Sequence, residues 1–184
     1  MRRPVAGIAA SLALVACVGS LAGCSGGHGS KTTTSTGAPK PGVYRVGTTA
    51  VRIAFPGSPK LQSDPAPLVA VLPKHATVTT WNVGDVGALK VHSYELVIAT
   101  FPAGSTTTAI DDFLSRYAGT PNSTMFGSPA LHEISTIPFA TGTRYSGITA
   151  FNVGRVLVEA VGFDSVRADV VGFLGSLQLV SPHG

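Results

Sequence analysis

The first 42 residues constrain this chain more than any other feature, because almost none of them has a place in a packed core. Arg2 and Arg3 precede Pro4 to Leu21, which is rich in Ala, Val, Leu and Gly and carries no charge, and the stretch closes on Leu21-Ala22-Gly23-Cys24. A positive start, an apolar middle and a small-residue end are the three regions of a secretory signal peptide. Ser25 to Gly42 then holds no large apolar residue, only Gly, Ser, Thr, Pro, Lys, one Ala and one His. Such a composition buries too little surface to offset its ordering entropy, so it reads as a disordered tether. A flexible chain of that length spans roughly 20 to 25 Å. The expected organisation is a signal peptide over 1–23, a tether over 24–42 and one domain over 43–184.

Leu21-Ala22-Gly23-Cys24 resembles the lipobox of bacterial lipoproteins. The resemblance implies diacylglycerol transfer to the Cys24 sulfur and cleavage before it, leaving Cys24 as the first mature residue. It also implies a lipid anchor on the extracytoplasmic face of the cell membrane. Leu14-Val15-Ala16-Cys17 fits a looser form of the pattern, but cleavage there leaves apolar Val18 to Leu21 at the new end, whereas cleavage before Cys24 exposes a polar run. Two readings compete with this one. An uncleaved membrane helix is one, since Pro4 to Ala22 approaches the roughly 20 apolar residues a span needs. A twin-arginine signal is the other, although Arg2-Arg3 lacks the motif that normally follows. Thr32 to Thr36 beside Pro39 and Pro41 is similar in composition to the O-glycosylated tethers of actinobacterial lipoproteins, although a plain spacer is the favoured reading.

Removing the signal changes the electrostatic picture. The full chain carries a formal net charge of +4, but without Arg2 and Arg3 eleven Lys and Arg face nine Asp and Glu, about +2 overall. The basic residues are scattered, without the clustered stripe that phosphate binding requires, so no nucleic-acid partner is expected. The only cysteines are Cys17 and Cys24, which excludes a disulfide framework and a thiolate metal site from the domain.

Catalytic motifs are equally scarce. His132-Glu133 begins like a zinc-protease motif, but Thr136 stands where the second histidine belongs. No ligand spacing links His75, His92 and His132, so no metal and no cofactor is expected. A Gly-x-Ser-x-Gly elbow, a Gly-x-Gly-x-x-Gly loop and a P-loop are absent from the sequence. Asp111 and Asp112 are adjacent on a predicted helix and diverge, so electrostatics at the helix start explains them better than acid-base work. The domain is therefore expected to be non-catalytic. Trp81, the lone tryptophan, lies among Thr79, Thr80 and Asn82. It is the candidate contact for a partner or ligand, against the alternative of ordinary packing on a hairpin.

Hydrophobic periodicity outlines the domain. Val51, Ile53 and Phe55 alternate up to Pro56-Gly57, and Val78–Val83 with Leu89–Phe101 suggests a hairpin about Gly84-Asp85-Val86-Gly87. Ile110, Phe113, Leu114 and Tyr117 fall at helical spacing, with Thr107 or Thr108 as cap, Asp111 and Asp112 near the positive end, and Gly119 as stop. Thr120 to Pro129 reads as a loop and Leu131–Ile137 as a strand. Arg144–Phe151 and Arg155–Phe163 form a second predicted hairpin about Asn152-Val153-Gly154. Val156, Val158 and Ala160 oppose Leu157, Glu159 and Val161 there, which predicts a central strand covered on both faces. Asp164 or Ser165 is expected to cap a last helix carrying Val166, Val170, Phe173, Leu174 and Leu177, followed by a short strand over Leu177–Val180.

The fold class expected is α+β, an antiparallel twisted sheet with helices packed on it. Phe55-Pro56-Gly57-Ser58-Pro59-Lys60 after an opening strand, Tyr94 to Pro102 before a capped helix, and Val153 to Gly162 before Phe173 to Leu179 resemble the order of PsbP/Mog1-like domains. Actinobacterial lipoproteins of the LpqN kind share that resemblance. It implies an α/β/α domain with roles in protein binding, envelope maintenance or complex assembly. Two functional readings stand. The first is a lipid-anchored module that binds another envelope protein. The second is a carrier or sensor of an apolar ligand such as a lipid, which requires a dry cavity of roughly 300 Å³ between helix and sheet. The bulky stripe Ile110, Phe113, Leu114 and Tyr117 argues for a filled interior and so for the module.

Overall fold

The computed structural model describes residues 41–62, 72–84, 92–140 and 142–180, all within the unit Gly37–Gly184. The expected signal peptide, Cys24 and the expected tether up to residue 40 lie outside these residues. So do residues 63–71 and 85–91, with most of the predicted turn Gly84-Asp85-Val86-Gly87.

Alternation builds two antiparallel sheets where the sequence suggested one. β1 (Gly42–Val46) pairs with β2 (Thr49–Ile53), and β2 also pairs with β10 (Gln178–Leu179). The larger sheet runs β3 (Lys60–Leu61), β4 (Thr77–Val83), β5 (His92–Thr100), β9 (Val156–Asp164), β8 (Gly142–Val153), β7 (Ser128–Phe139) and β6 (Ser123–Met125). Every pairing in it is antiparallel. The edge strands β3 and β6 are very short, which limits edge-to-edge pairing with other chains.

The two helices cover opposite faces of the larger sheet. α1 (Thr107–Tyr117) buries Ile110, Phe113 and Leu114 against Val97, Ala99, Ala150 and Leu157. α2 (Arg167–Gly175) buries Val170, Phe173 and Leu174 against Tyr94, Leu96, Val158 and Ala160, in a core shared with Val51 and Ile53 of the small sheet. Each fully buried side chain of this size contributes about 1.5–3 kcal/mol relative to exposure. Period-two alternation explains the division. Leu96 and Ile98 face α2 while Val97 and Ala99 face α1.

Two glycines set how closely α2 approaches. A Cβ on Gly147 would stand 2.6 Å from Leu174 Cδ1 and 2.7 Å from Val170 Cγ1, and one on Gly162 would stand 3.4 Å from Phe173. The helix therefore rests directly on the β8–β9 backbone. At the β8–β9 hairpin, Gly154 takes a φ of +57°, which matches the positive φ predicted from the sequence.

Several local expectations are corrected. Thr106 caps α1, its hydroxyl accepting from the Ala109 amide at 3.2 Å, and no acidic residue occupies the first turn. Asp111 and Asp112 begin one turn too late for that role. Tyr117 stays 37 % exposed because it extends past the apolar contact at the helix end. The segment read as a loop over Thr120–Pro129 contains β6, which turns through Phe126 and Gly127 into β7. Val166 precedes α2 as its N-cap without a side-chain cap bond, although Asp164 Oδ1 accepts from the Val166 amide at 3.0 Å. Gly42, assigned to the tether, belongs to β1.

Candidate functional site

The strand register places carboxylates where α1 ends. Val97 of β5 lies opposite Glu159 of β9, which lies opposite Ala150 of β8. One step along the same face, Asn82, Glu95, Val161, Ile148 and Glu133 form the next row from β4 to β7. Glu95 and Glu159 are thus diagonal neighbours, about 7–8 Å apart between Cα atoms. Ser93, Phe163, Ser146 and Ser135 form a third row. Phe139 lies beyond it, its ring 6.0 Å from that of Phe163. Val161, Ile148 and Phe163 are all partly exposed, so this half of the sheet face is apolar, acidic and open to contact.

Glu159 is the most unusual residue of this surface. It is only 5 % exposed, and its Oε2 has no hydrogen-bond partner. Burial, and secondarily the charge of Glu95, push its carboxyl up to about 7. Burial raises Glu95 as well. Tyr117, at the end of α1, is also raised, first by burial and then by the charges of Glu159 and Glu95. Its ring stacks on Phe113 at 5.7 Å. Thr80, 2 % exposed, stands opposite Val97 on the side away from Glu159, and its hydroxyl is also unpartnered. Among the described residues no ion pair neutralises Glu95, Glu133 or Glu159.

A second polar cluster on the α2 face is fully satisfied. Asp164, 2 % exposed, accepts from the Tyr94 hydroxyl, and His92 Nδ1 lies 2.8 Å from the same Oδ2. Its other oxygen accepts from the Val166 amide at 3.0 Å and the Ser165 hydroxyl at 3.3 Å. Burial alone would raise this carboxyl, but the Tyr94, Val166 and His92 contacts outweigh it and hold it below the usual range. The cluster closes the sheet onto the start of α2. It brings an exposed histidine onto a buried carboxylate, without a serine, threonine or cysteine bonded to the histidine among the described residues.

The remaining sequence candidates separate. Trp81 packs partly buried against the α2-side core, with its ring 5.2 Å from that of Tyr44. His132 bonds Thr149 through Nδ1 at 2.7 Å, while the Asn122 side chain bonds its backbone twice at 2.9 Å. His75 lies in a turn with a φ of +71°. Among the described residues no group of three or more His, Cys, Asp or Glu side chains is placed to hold a metal ion. An open cleft of about 320 Å³ lies beside α2, lined by Ala54, Pro56, Ala168, Asp169, Gly172 and Phe173. The Glu95–Glu159 pair is absent from the sequence reading, because only the β5–β9 register brings the two residues to neighbouring rows.

No family model matches the chain, and no curated protein does. A crystal structure of a protein from Bacteroides thetaiotaomicron is similar over 71 % of this chain and 45 % of its own length, at 10 % identity and a TM-score of 0.41. The chain thus spans less than half of that protein, and a likeness this distant carries no argument about fold family or activity. The architecture is α+β, two antiparallel sheets with two helices. No described helix is long and apolar enough to cross a membrane.

Proposed function

We propose that this chain is a lipid-anchored envelope lipoprotein, tethered through Cys24 at the extracytoplasmic face of the cell membrane, whose α+β domain is a non-catalytic protein-interaction module. A PsbP/Mog1-like domain is the finer fold reading, supported by helices on opposite faces of an antiparallel sheet and by the closing helix and strand. The observation that carries the functional reading is the half-exposed sheet face of Val161, Ile148, Phe163 and Phe139 beside α1. Contiguous apolar surface rimmed by polar groups marks an interaction site. The filled interior supports the module over a lipid carrier, since Ile110, Phe113 and Leu114 occupy the space between α1 and the sheet, and the cleft beside α2 is open and includes Asp169.

The test is mass spectrometry of the full chain, extracted from its own membranes in mild detergent and isolated without denaturation. The module reading expects a stoichiometric co-purifying protein. A stoichiometric acyl lipid with no protein would replace it with the carrier reading.

A further inference from the structure

We propose that the outer edge of β7, from Glu133 to Ile137, pairs with the same edge of a second copy of this chain, joining two large sheets antiparallel about Ser135. This edge is separate from the face assigned to another protein and does not depend on that reading.

β7 is much longer than the strand that shields it. β6 pairs only with Ser128 to Ala130, and at His132 the Asn122 side chain bonds both the backbone amide and the carbonyl at 2.9 Å. Those two bonds also show which way the backbone points. Along an antiparallel strand, successive residues turn their amides and carbonyls to opposite neighbours, so Ile134 and Thr136 turn theirs away from β8, as His132 does. Among the described residues no strand lies beyond β7 at this level. Pro138, the next outward position, has no amide hydrogen to offer. Asn122 therefore closes the edge at one end and Pro138 at the other.

Unpaired edge groups are a template for another strand, and the two closed ends select the register. Centring a pair of identical edges on Ser135 sets Ile134 opposite Thr136 of the second copy, each donating to and accepting from the other. Centring on Ile134 sets Thr136 against the clamped His132, and centring on Thr136 sets Ile134 against Pro138. Only the Ser135 register satisfies every free group.

The same register is complementary in charge. Glu133 falls opposite Ile137 of the second copy, and the other neighbour of that isoleucine is Arg144 of its own chain. Carboxylate and guanidinium then flank a half-buried isoleucine, about 10 Å apart between Cα atoms, which two long side chains can close. Within one chain Glu133 accepts from the Ser135 hydroxyl at 2.9 Å, and Arg144 donates to the adjacent Thr143 carbonyl at 3.2 Å. Such pairs set register and partner more than affinity. Past Tyr145, where β9 ends, β7 and β8 continue as a two-stranded ribbon. Ribbons twist more strongly than wider sheets, which carries the tip of the second copy clear of Asn122. Opposed residues point to the same side, so the half-open faces around Phe163 of the two copies lie on one surface.

The test is disulfide trapping in cells expressing the full chain, treated with a mild oxidant and followed by peptide mapping. Opposed Ser135 residues stand about 4.5 Å apart between Cα atoms, within reach of a disulfide. Ser135→Cys should therefore yield a dimer joined at position 135. Glu133→Cys places its two copies about 14 Å apart, too far for a bond. Thr136→Pro, combined with Ser135→Cys, removes an outward amide that the fold of one chain does not use, and should lower the dimer yield at least about tenfold. Thermal melts under reducing conditions check that each variant is folded, and the cysteine comparison stands alone if the proline variant is not.

Three results would overturn the inference. One is a yield from Ser135→Cys no greater than from Glu133→Cys. Another is a yield indifferent to Thr136→Pro in a folded protein. The last is capture of a different protein, and not of this chain, by a photo-crosslinker attached at Ser135→Cys, which gives the edge to an extended segment of that protein.

Discussion

Replacing Glu159 with glutamine should stabilise the protein in a manner that grows with pH. A carboxyl normally near 4.5 is pushed up to about 7 in the fold, chiefly by burial. The folded state therefore keeps a proton that the unfolded state releases between those values. Stability falls as pH rises through that window, and the deficit persists above it. With the two values as limits, the penalty is about 0.2 kcal/mol at pH 4 and about 3 kcal/mol at pH 8. Glutamine has nearly the same shape and no titration, so its own offset is independent of pH. The side chain whose charge bears on Glu159 is Glu95 on β5. The assay is urea denaturation of both proteins from pH 4 to pH 8, followed by the fluorescence of Trp81. The stability difference between variant and wild type should shift by about 3 kcal/mol in favour of glutamine over that range. A difference constant within about 0.5 kcal/mol, the usual scatter of such comparisons, would refute the buried-carboxyl reasoning.

Other perturbations probe the fold and the anchor. Gly147→Ala should cost about 1–3 kcal/mol in denaturation, because its Cβ would press on Leu174 and Val170; a neutral result would mean that α2 does not lie on β8 as described. Tyr94→Phe should cost about 1.5–3 kcal/mol near neutral pH, since it removes a bond to a buried carboxylate. The lowered Asp164 carboxyl contributes stability above its unfolded range and loses it as pH falls through its folded range. The Tyr94→Phe deficit should therefore shrink in strong acid, and one unchanged in acid would contradict the charge-assisted bond. Cys24→Ala should abolish palmitate labelling and leave precursor or released protein, whereas loss of label only with Cys17→Ala would move the anchor to Cys17.

Local order in the sequence made the scaffold readable. Ile110, Phe113 and Leu114 define the buried face of α1 by spacing alone, and the alternation of Val156 to Val161 identifies β9 as a strand between two neighbours. β6 was lost because Ser123-Thr124-Met125 is short and largely polar, and its pairing with β7 is what makes it a strand. The small sheet was lost for a related reason. Gln178 and Leu179 pair with β2, more than a hundred residues earlier, which no window of neighbours reveals. Glu159 was legible as a strand residue, but its isolation comes from Val97, Ala150 and the end of α1. Asp164 was read as a helix cap, and it does accept from Val166, yet its bonds to Tyr94 and His92 require the β5–β9 register.

Under the proposed function, the half-open face around Phe163 is where this chain meets another protein. A photo-reactive phenylalanine analogue at Phe163, activated in living cells expressing the full chain, tests it directly, with the exposed Arg52 of β2 on the other sheet as the control position. One discrete protein adduct is expected from position 163 and none from position 52. Adducts to acyl lipid alone at position 163, or the same protein captured equally from both positions, would contradict it.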